Sequence, residues 1–153
     1  MTDDIRPQLR ACTLCADRFA ITATQHRPNP VVWFQPGARL LIASQAPGMK
    51  VHKSNTPFWD ASGARLRDWL GVDEATFYDR SRVAIVPMAF CFPGYDAKGS
   101  DLPPPKRCSA TWHAQVMAAL PDRVPPELLE LLERRPVARV LVVDLRRRHR
   151  RYD

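Results

Sequence analysis

Two groups of residues in this chain have types and spacings that could do chemistry. The first is a set of four cysteines. Two residues separate Cys12 from Cys15, 75 separate Cys15 from Cys91, and 16 separate Cys91 from Cys108. Structural zinc sites more often carry two close-spaced pairs, so the long second gap is poor for zinc. The second group follows an apolar run. Ser44-Gln45-Ala46-Pro47-Gly48 ends in a Pro-Gly pair that forces a turn. Beyond it, His52 and Asp60 flank an aromatic residue, Phe58, and are residue types suited to proton transfer or to orienting water. Asp60 is equally suited to cap a following helix.

These residues need a scaffold, and 153 residues with 45% hydrophobic content are enough for one domain with its own core. Three compact apolar runs, 38–44, 82–90 and 138–145, read as buried strands, the second ending or bulging at Pro87. Helical patterns alternate with them. One is short, over 16–20. Another opens at Ser62 and places Leu66, Trp69 and Leu70 on one face. A third opens at Ser109 or Thr111, with Trp112, Val116, Met117 and Leu120 facing the core, and a short one over 127–134 follows Pro125-Pro126. Residues 49–61 and 93–106 read as loops. Strands alternating with helices predict an α/β domain of three layers, a short central parallel sheet flanked by helices. Ligands of such sheets sit at the carboxyl ends of the strands, which here means 44–48, 87–92 and the region after Asp144.

No apolar run approaches the ~20 residues that span a bilayer, so a membrane-spanning helix is excluded. The start, MTDDIRPQLRAC, carries no signal or transit pattern, which predicts a cytoplasmic protein in which disulfides are uncommon. The net charge of +7 invites a nucleic-acid reading, but it is unevenly spread. Residues 1–133 balance to +1, while 134–153, with eight arginines against two aspartates, carry the other +6. The basic character belongs to the last twenty residues.

The stretch 44–63, SQAPGMKVHKSNTPFWDASG, resembles the first motif of the uracil-DNA glycosylase superfamily, especially its family 4 (iron–sulphur) branch. There a strand runs into Gly-Glu-Ala-Pro-Gly, followed by Gly-x-Pro-Phe-Val-Gly-x-Ala-Gly. Without a gap, Gln45-Ala46-Pro47-Gly48, Pro57-Phe58 and Ser62-Gly63 fall into register. The resemblance runs over about residues 10–120 and takes in the four cysteines. It implies a monomeric repair enzyme that takes uracil out of the DNA stack and breaks its N-glycosidic bond, leaving an abasic site. Phe58 would stack on the flipped base. The backbone of Gln45, Ala46, Pro47 and Gly48 would hold a base carbonyl and accommodate charge as the base departs. Cys12, Cys15, Cys91 and Cys108 would hold a [4Fe–4S] cluster; the alternative is that the cluster is lost and the thiols are reduced.

This sequence also departs from the family pattern. Gln45 stands in the catalytic position of an acidic residue, and an amide cannot be a general base. His52 and Asp60 are the candidates to supply that chemistry instead. Pro87 occupies the place, four before the third cysteine, where the family has a uracil-reading Asn. The family's last strand–loop–helix unit, with a His-Pro-Ser-type loop, has no counterpart here. Residues 1–145 therefore read as an incomplete glycosylase-like domain and 146–153 as a basic tail, as in a truncated or frame-shifted member. Two rival readings stand beside the enzyme: a vestigial nucleic-acid-binding module of the same fold, and a metal-binding domain with no DNA role. Trp69 and Trp112 are expected in the core; Trp59, beside Phe58, is expected to pack, with lining of the pocket as the alternative. Lys50, Lys53, Arg65 and Arg67 are candidate phosphate contacts.

Overall fold

A computed structural model describes residues 4–120 and the backbone of Leu141–Asp144. The apolar runs form strands β1 (Leu40–Ser44) and β2 (Val83–Pro87), paired in parallel with Leu40 opposite Val83 and Ser44 opposite Pro87. Because side chains alternate across a strand, each strand feeds two cores. Leu41, Ala43, Ala84 and Val86 point to one face, where they meet Leu9 of α1 (Arg6–Arg10) and Val116 of α6 (Lys106–Ala119). Ile42, Val83 and Ile85 point to the other, where they meet Leu66 of α4 (Ala61–Leu70) and Phe77 of α5 (Glu74–Phe77). Helices on both faces of a sheet whose central pair is parallel give the expected α/β layering.

The third strand departs from the expected direction. β3 (Leu141–Asp144) pairs antiparallel with β1, Leu40 opposite Asp144 and Ala43 opposite Leu141, in the order β2-β1-β3. A short, mostly apolar run encodes burial but not the direction in which the strand pairs. The other side of β2 is covered by the segment around Trp33, which Pro28, Pro30 and Pro36 keep from forming a regular strand of its own. Ile85 N–H donates to the Trp33 carbonyl at 2.8 Å, and Val31 N–H to the Phe90 carbonyl at 2.9 Å. That pairing covers an edge that would otherwise present open backbone groups. The expected helix over 127–134 and the basic tail 146–153 lie outside the described residues.

Several local features differ from expectation for identifiable reasons. Residues 49–54, expected as loop, form helix α3 (Met49–Ser54), too short to show periodicity. It stops at Asn55 in the left-handed region (φ 56°), which Asn tolerates. The Asn29 amide clasps that end, donating to the His52 carbonyl at 3.0 Å and Asn55 Oδ1 at 2.6 Å. α6 opens at Lys106, after extended Pro105, rather than at Ser109 or Thr111. Those two hydroxyls instead bond back to the carbonyls of Lys106 and Arg107 within the helix. α2 (Ala16–Ala20) lies where it was expected. Trp69 does not belong to the core and is 76% exposed. Only the Gly63–Leu66–Leu70 row of α4 packs inward, a narrower stripe than the i, i+3, i+4 pattern suggested. Trp112 packs against the α1/α6 core.

Candidate active site

At the carboxyl ends of β1 and β2 lies a pocket of ≈ 110 Å3. Cavities of ~150 Å3 accept a benzene ring, so this is room on the scale of one planar ring. Its walls come from Ser44, Ala46, Pro47 and Gly48 after β1, Pro57, Phe58, Asp60 and Ser62 before and at the start of α4, and Pro87 at the end of β2. Val31, Trp33, Val51 and Ile85 complete the lining. The two halves of the 44–63 motif therefore face one cavity.

The turn after β1 is tied down by its carbonyls. Met88 N–H donates to the Ser44 carbonyl at 2.9 Å and Ala89 N–H to the Gln45 carbonyl at 3.0 Å. Among the described residues nothing accepts from the N–H of Ala46 or Gly48, and Pro47 has none. Gly48 is not demanded by internal geometry. Its φ is −86° and a Cβ there would meet no atom within 4 Å.

The opposite wall is locked. Phe58 has φ +56°, a left-handed conformation that a bulky residue adopts only under constraint. Tyr78 supplies it, its hydroxyl lying 2.8 Å from the Pro57 carbonyl and 3.2 Å from that of Phe58. Arg67 donates to Tyr78 Oη at 3.1 Å and lies over the rings of Phe77 and Tyr78. Burial pushes the Tyr78 phenol up, with the nearby Arg67 cation pulling the other way. From the far side, Gly63 admits the Phe58 carbonyl: a Cβ on Gly63 would lie 1.7 Å from that oxygen. The Pro57-Phe58…Ser62-Gly63 spacing thus has a mechanical reason. Asp60 caps α4, its Oδ1 accepting from Gly63 N–H at 2.9 Å and Ser62 Oγ at 2.6 Å. Asp60 Oδ2 accepts from no described protein group, and Asp60 is the only titratable side chain among the pocket-lining residues.

The other named candidates sit elsewhere. Gln45 is not among the lining residues. His52 is not either; its ring packs edge-on to His26 (5.2 Å) and tilted to Phe92 (5.7 Å). Among the described residues His52 Nδ1 is buried without a partner, and burial, then the neighbouring His26 and Lys53, hold its pKa below the ordinary value. Arg67, a candidate phosphate contact, has only 12% of its side chain exposed and is spent on Tyr78, Glu74 and the Phe58 carbonyl.

A second, smaller cavity brings together all four cysteines, Cys12, Cys15, Cys91 and Cys108, among Leu14, Phe19, Pro28, Ala89, Pro105 and Trp112. Trp112 Nε1–H donates to Cys12 Sγ at 3.3 Å. Burial pushes the Cys91 thiol up to about 12 and Cys108 up to about 11, so as free thiols both are protonated and inert at neutral pH. Cys91 follows β2 rather than lying in it. Four sulphur donors in one otherwise apolar cavity fit a thiolate-held iron–sulphur group in donor type. Among the described residues, no group of three or more His, Cys, Asp or Glu is placed to hold a single metal ion.

Residues that position the site but carry no local motif were missed by sequence reasoning: Trp33, Tyr78, Arg80 and His113. Arg80 stacks on Trp33 at 3.9 Å, behind the pocket wall. His113 Nε2 lies 2.8 Å from the Pro87 carbonyl; a carbonyl can only accept, so this nitrogen carries the proton and fixes the end of β2. The contacts that hold them span from 11 positions in sequence (Arg67 to Tyr78) to 47 (Trp33 to Arg80).

A pocket of this size at the carboxyl ends of parallel strands is where α/β proteins hold small ligands. A sequence model of the uracil DNA glycosylase superfamily matches residues 31–126, and the chain belongs to that superfamily. Every residue lining the pocket lies within the match, as do Cys91 and Cys108, whereas Cys12 and Cys15 precede it. The protein is accordingly glycosylase-like, with DNA as its partner. No helix among the described residues is long and apolar enough to cross a membrane.

Proposed function

We infer that the protein hydrolyses the N-glycosidic bond of uracil in DNA, releasing uracil and leaving an abasic site. The observation that carries this reading is the single-ring pocket framed by the 46–48 backbone on one side and Phe58 on the other. A flipped pyrimidine ring stacks on Phe58 while its carbonyl takes the unengaged N–H groups of the turn. As the bond from C1′ to the base nitrogen breaks, negative charge grows on the base and positive charge on the sugar. Fixed N–H donors favour the first. Asp60 Oδ2 faces no internal donor and stabilises the second, orienting the water whose oxygen joins C1′; the water's proton neutralises the departing base. Gln45 and His52 line no part of this pocket, so Asp60 carries the carboxylate role among the candidates.

The four-cysteine cavity supports a [4Fe–4S] cluster in the family 4 manner, held by Cys12, Cys15, Cys91 and Cys108. Such a group would tie the segment before α2 to the start of α6 and the chain after β2. A second reading, a DNA-binding module without chemistry, is favoured by Pro87, which offers the pocket no side-chain donor where a base-reading Asn would stand. One experiment separates the two. Incubation with a uracil-containing oligonucleotide should yield alkali-labile abasic sites, and Phe58→Ala should lower that rate by on the order of a hundredfold. Binding without any abasic product would establish the module instead.

A further inference from the structure

Trp59 is the most exposed aromatic residue near the pocket, 49% exposed, and both its chain neighbours, Phe58 and Asp60, line the cavity. It is not loose. Its ring lies against Tyr78, with centroids 6.0 Å apart, and Tyr78 is the residue whose hydroxyl holds the carbonyls of Pro57 and Phe58. The same lock that sets Phe58 therefore also positions the indole of the next residue. Unlike Trp69, it is both exposed and fixed next to pocket-lining residues, which leaves an amphipathic ring held ready for a partner outside the chain.

The charges nearby indicate what that is. Lys50 and Lys53 on α3 and Arg65 on α4 are exposed and belong to no ion pair among the described residues. α3 and α4 bracket the loop that bears Trp59. Unpaired cations on the helices that flank the loop of an exposed, positioned aromatic ring are the composition of surfaces that hold single-stranded nucleic acid, where cations take phosphates and rings take bases.

We propose that Trp59 is a stacking platform for the nucleobase adjacent to the one held in the pocket. This rests on the base-excision reading and adds a second subsite to it. Phe58 receives the extruded base, and Trp59, one residue on, receives its neighbour and so keeps the strand unstacked. Stacking on an aromatic face is tolerant of base identity, so the subsite demands that a base be present, not which base it is.

The test uses the full chain and single-stranded oligonucleotides carrying one deoxyuridine, flanked on either side by an ordinary base or by a baseless tetrahydrofuran residue. Affinity is read by quenching of tryptophan fluorescence and excision by release of uracil. Removing the correct flanking base should weaken binding to the wild-type protein by about fivefold to a hundredfold. Trp59→Ala should show the same loss on the fully based strand and no further loss on the gapped one, whereas Trp59→Phe should keep most of the affinity. Wild-type binding indifferent to both flanking bases would overturn the proposal, as would a Trp59→Ala loss of equal size on based and gapped strands. Because binding is read without turnover, an absence of excision would defeat the uracil reading and still leave the flanking-base dependence to judge Trp59. If Trp59→Ala fails to fold, the wild-type comparison and Trp59→Phe decide.

Discussion

The two cavities are built on different plans. The base pocket takes its chemical walls from a single stretch of 20 residues, 44–63, closed by the ends of two paired strands. The cysteine cavity takes its walls from residues 12–28, 89–91 and 105–112, which meet only after α6 and the N-terminal segment have packed. One is local geometry under lock, while the other is assembled at long range. Polar backbone groups remain open in the first, and thiols are desolvated in the second. Between the two runs a stack of rings in which Phe19, a wall of the cysteine cavity, meets His26 at 4.6 Å, and His26 meets His52, the neighbour of pocket-lining Val51.

The sharpest way to break the comparison is to add one methyl group at either of two glycines of the same motif. Gly63→Ala drives a Cβ to 1.7 Å from the Phe58 carbonyl, backbone that cannot yield without unlocking the loop. It should cost about 3 kcal/mol or more of stability, read by urea unfolding, and abolish excision. Gly48→Ala has free space around its Cβ. It should leave the unfolding midpoint unchanged while lowering excision by up to about a hundredfold, because the methyl enters space the ligand needs.

Next in size is Cys15→Ser. It should remove the brown absorption of anaerobically purified protein completely and lower thermal stability, yet leave residual DNA binding at the separate base pocket. A colourless wild-type protein would instead show four reduced thiols. A smaller effect is expected from Tyr78→Phe, which removes the hydroxyl shared by the Pro57 and Phe58 carbonyls. A loss of about 1 kcal/mol in stability is expected. A several-fold drop in excision should accompany it, since Phe58 then lacks part of what holds φ at +56°. The smallest effect lies in the ring stack. His52 has its pKa held below the ordinary 6.5, chiefly by burial. The unfolded chain therefore binds the proton more readily, and His52 contributes stability that is present above pH 6.5 and lost as pH falls through the lowered value. Urea unfolding between pH 8 and 5 should show this slope, and His52→Phe should flatten it.

How much of this was legible in the sequence follows the same division. β1, β2 and α2 could be read because compact apolar runs and short-range spacing are local signals. The 44–63 motif could be read for the same reason. α3 escaped because six residues carry no period, and the direction of β3 escaped because a short, mostly apolar run encodes burial and not direction. Trp69 was assigned to the core on helical spacing, but the sheet takes only the Leu66–Leu70 row and leaves the indole in water. His52 and Asp60 looked equivalent as flanks of Phe58. Helix α3, which carries His52, turns its ring into the His26–Phe92 stack, and only the Asp60 carboxylate is left at the pocket.

The opening spacing of residues, by itself, determined the class: an α/β domain with a turn, an aromatic residue and a glycine set for one another, and four cysteines in order. Those features depend on chain neighbours, whose distances are set by covalent geometry. Only the tertiary structure decided which candidates share a cavity. Tyr78, Arg67, Trp33 and His113 act across distances that no local pattern records, and placement, not residue type, separates Asp60 from His52. A side chain's chemistry is set by what desolvates it and what donates to it, and both are supplied by residues remote in sequence.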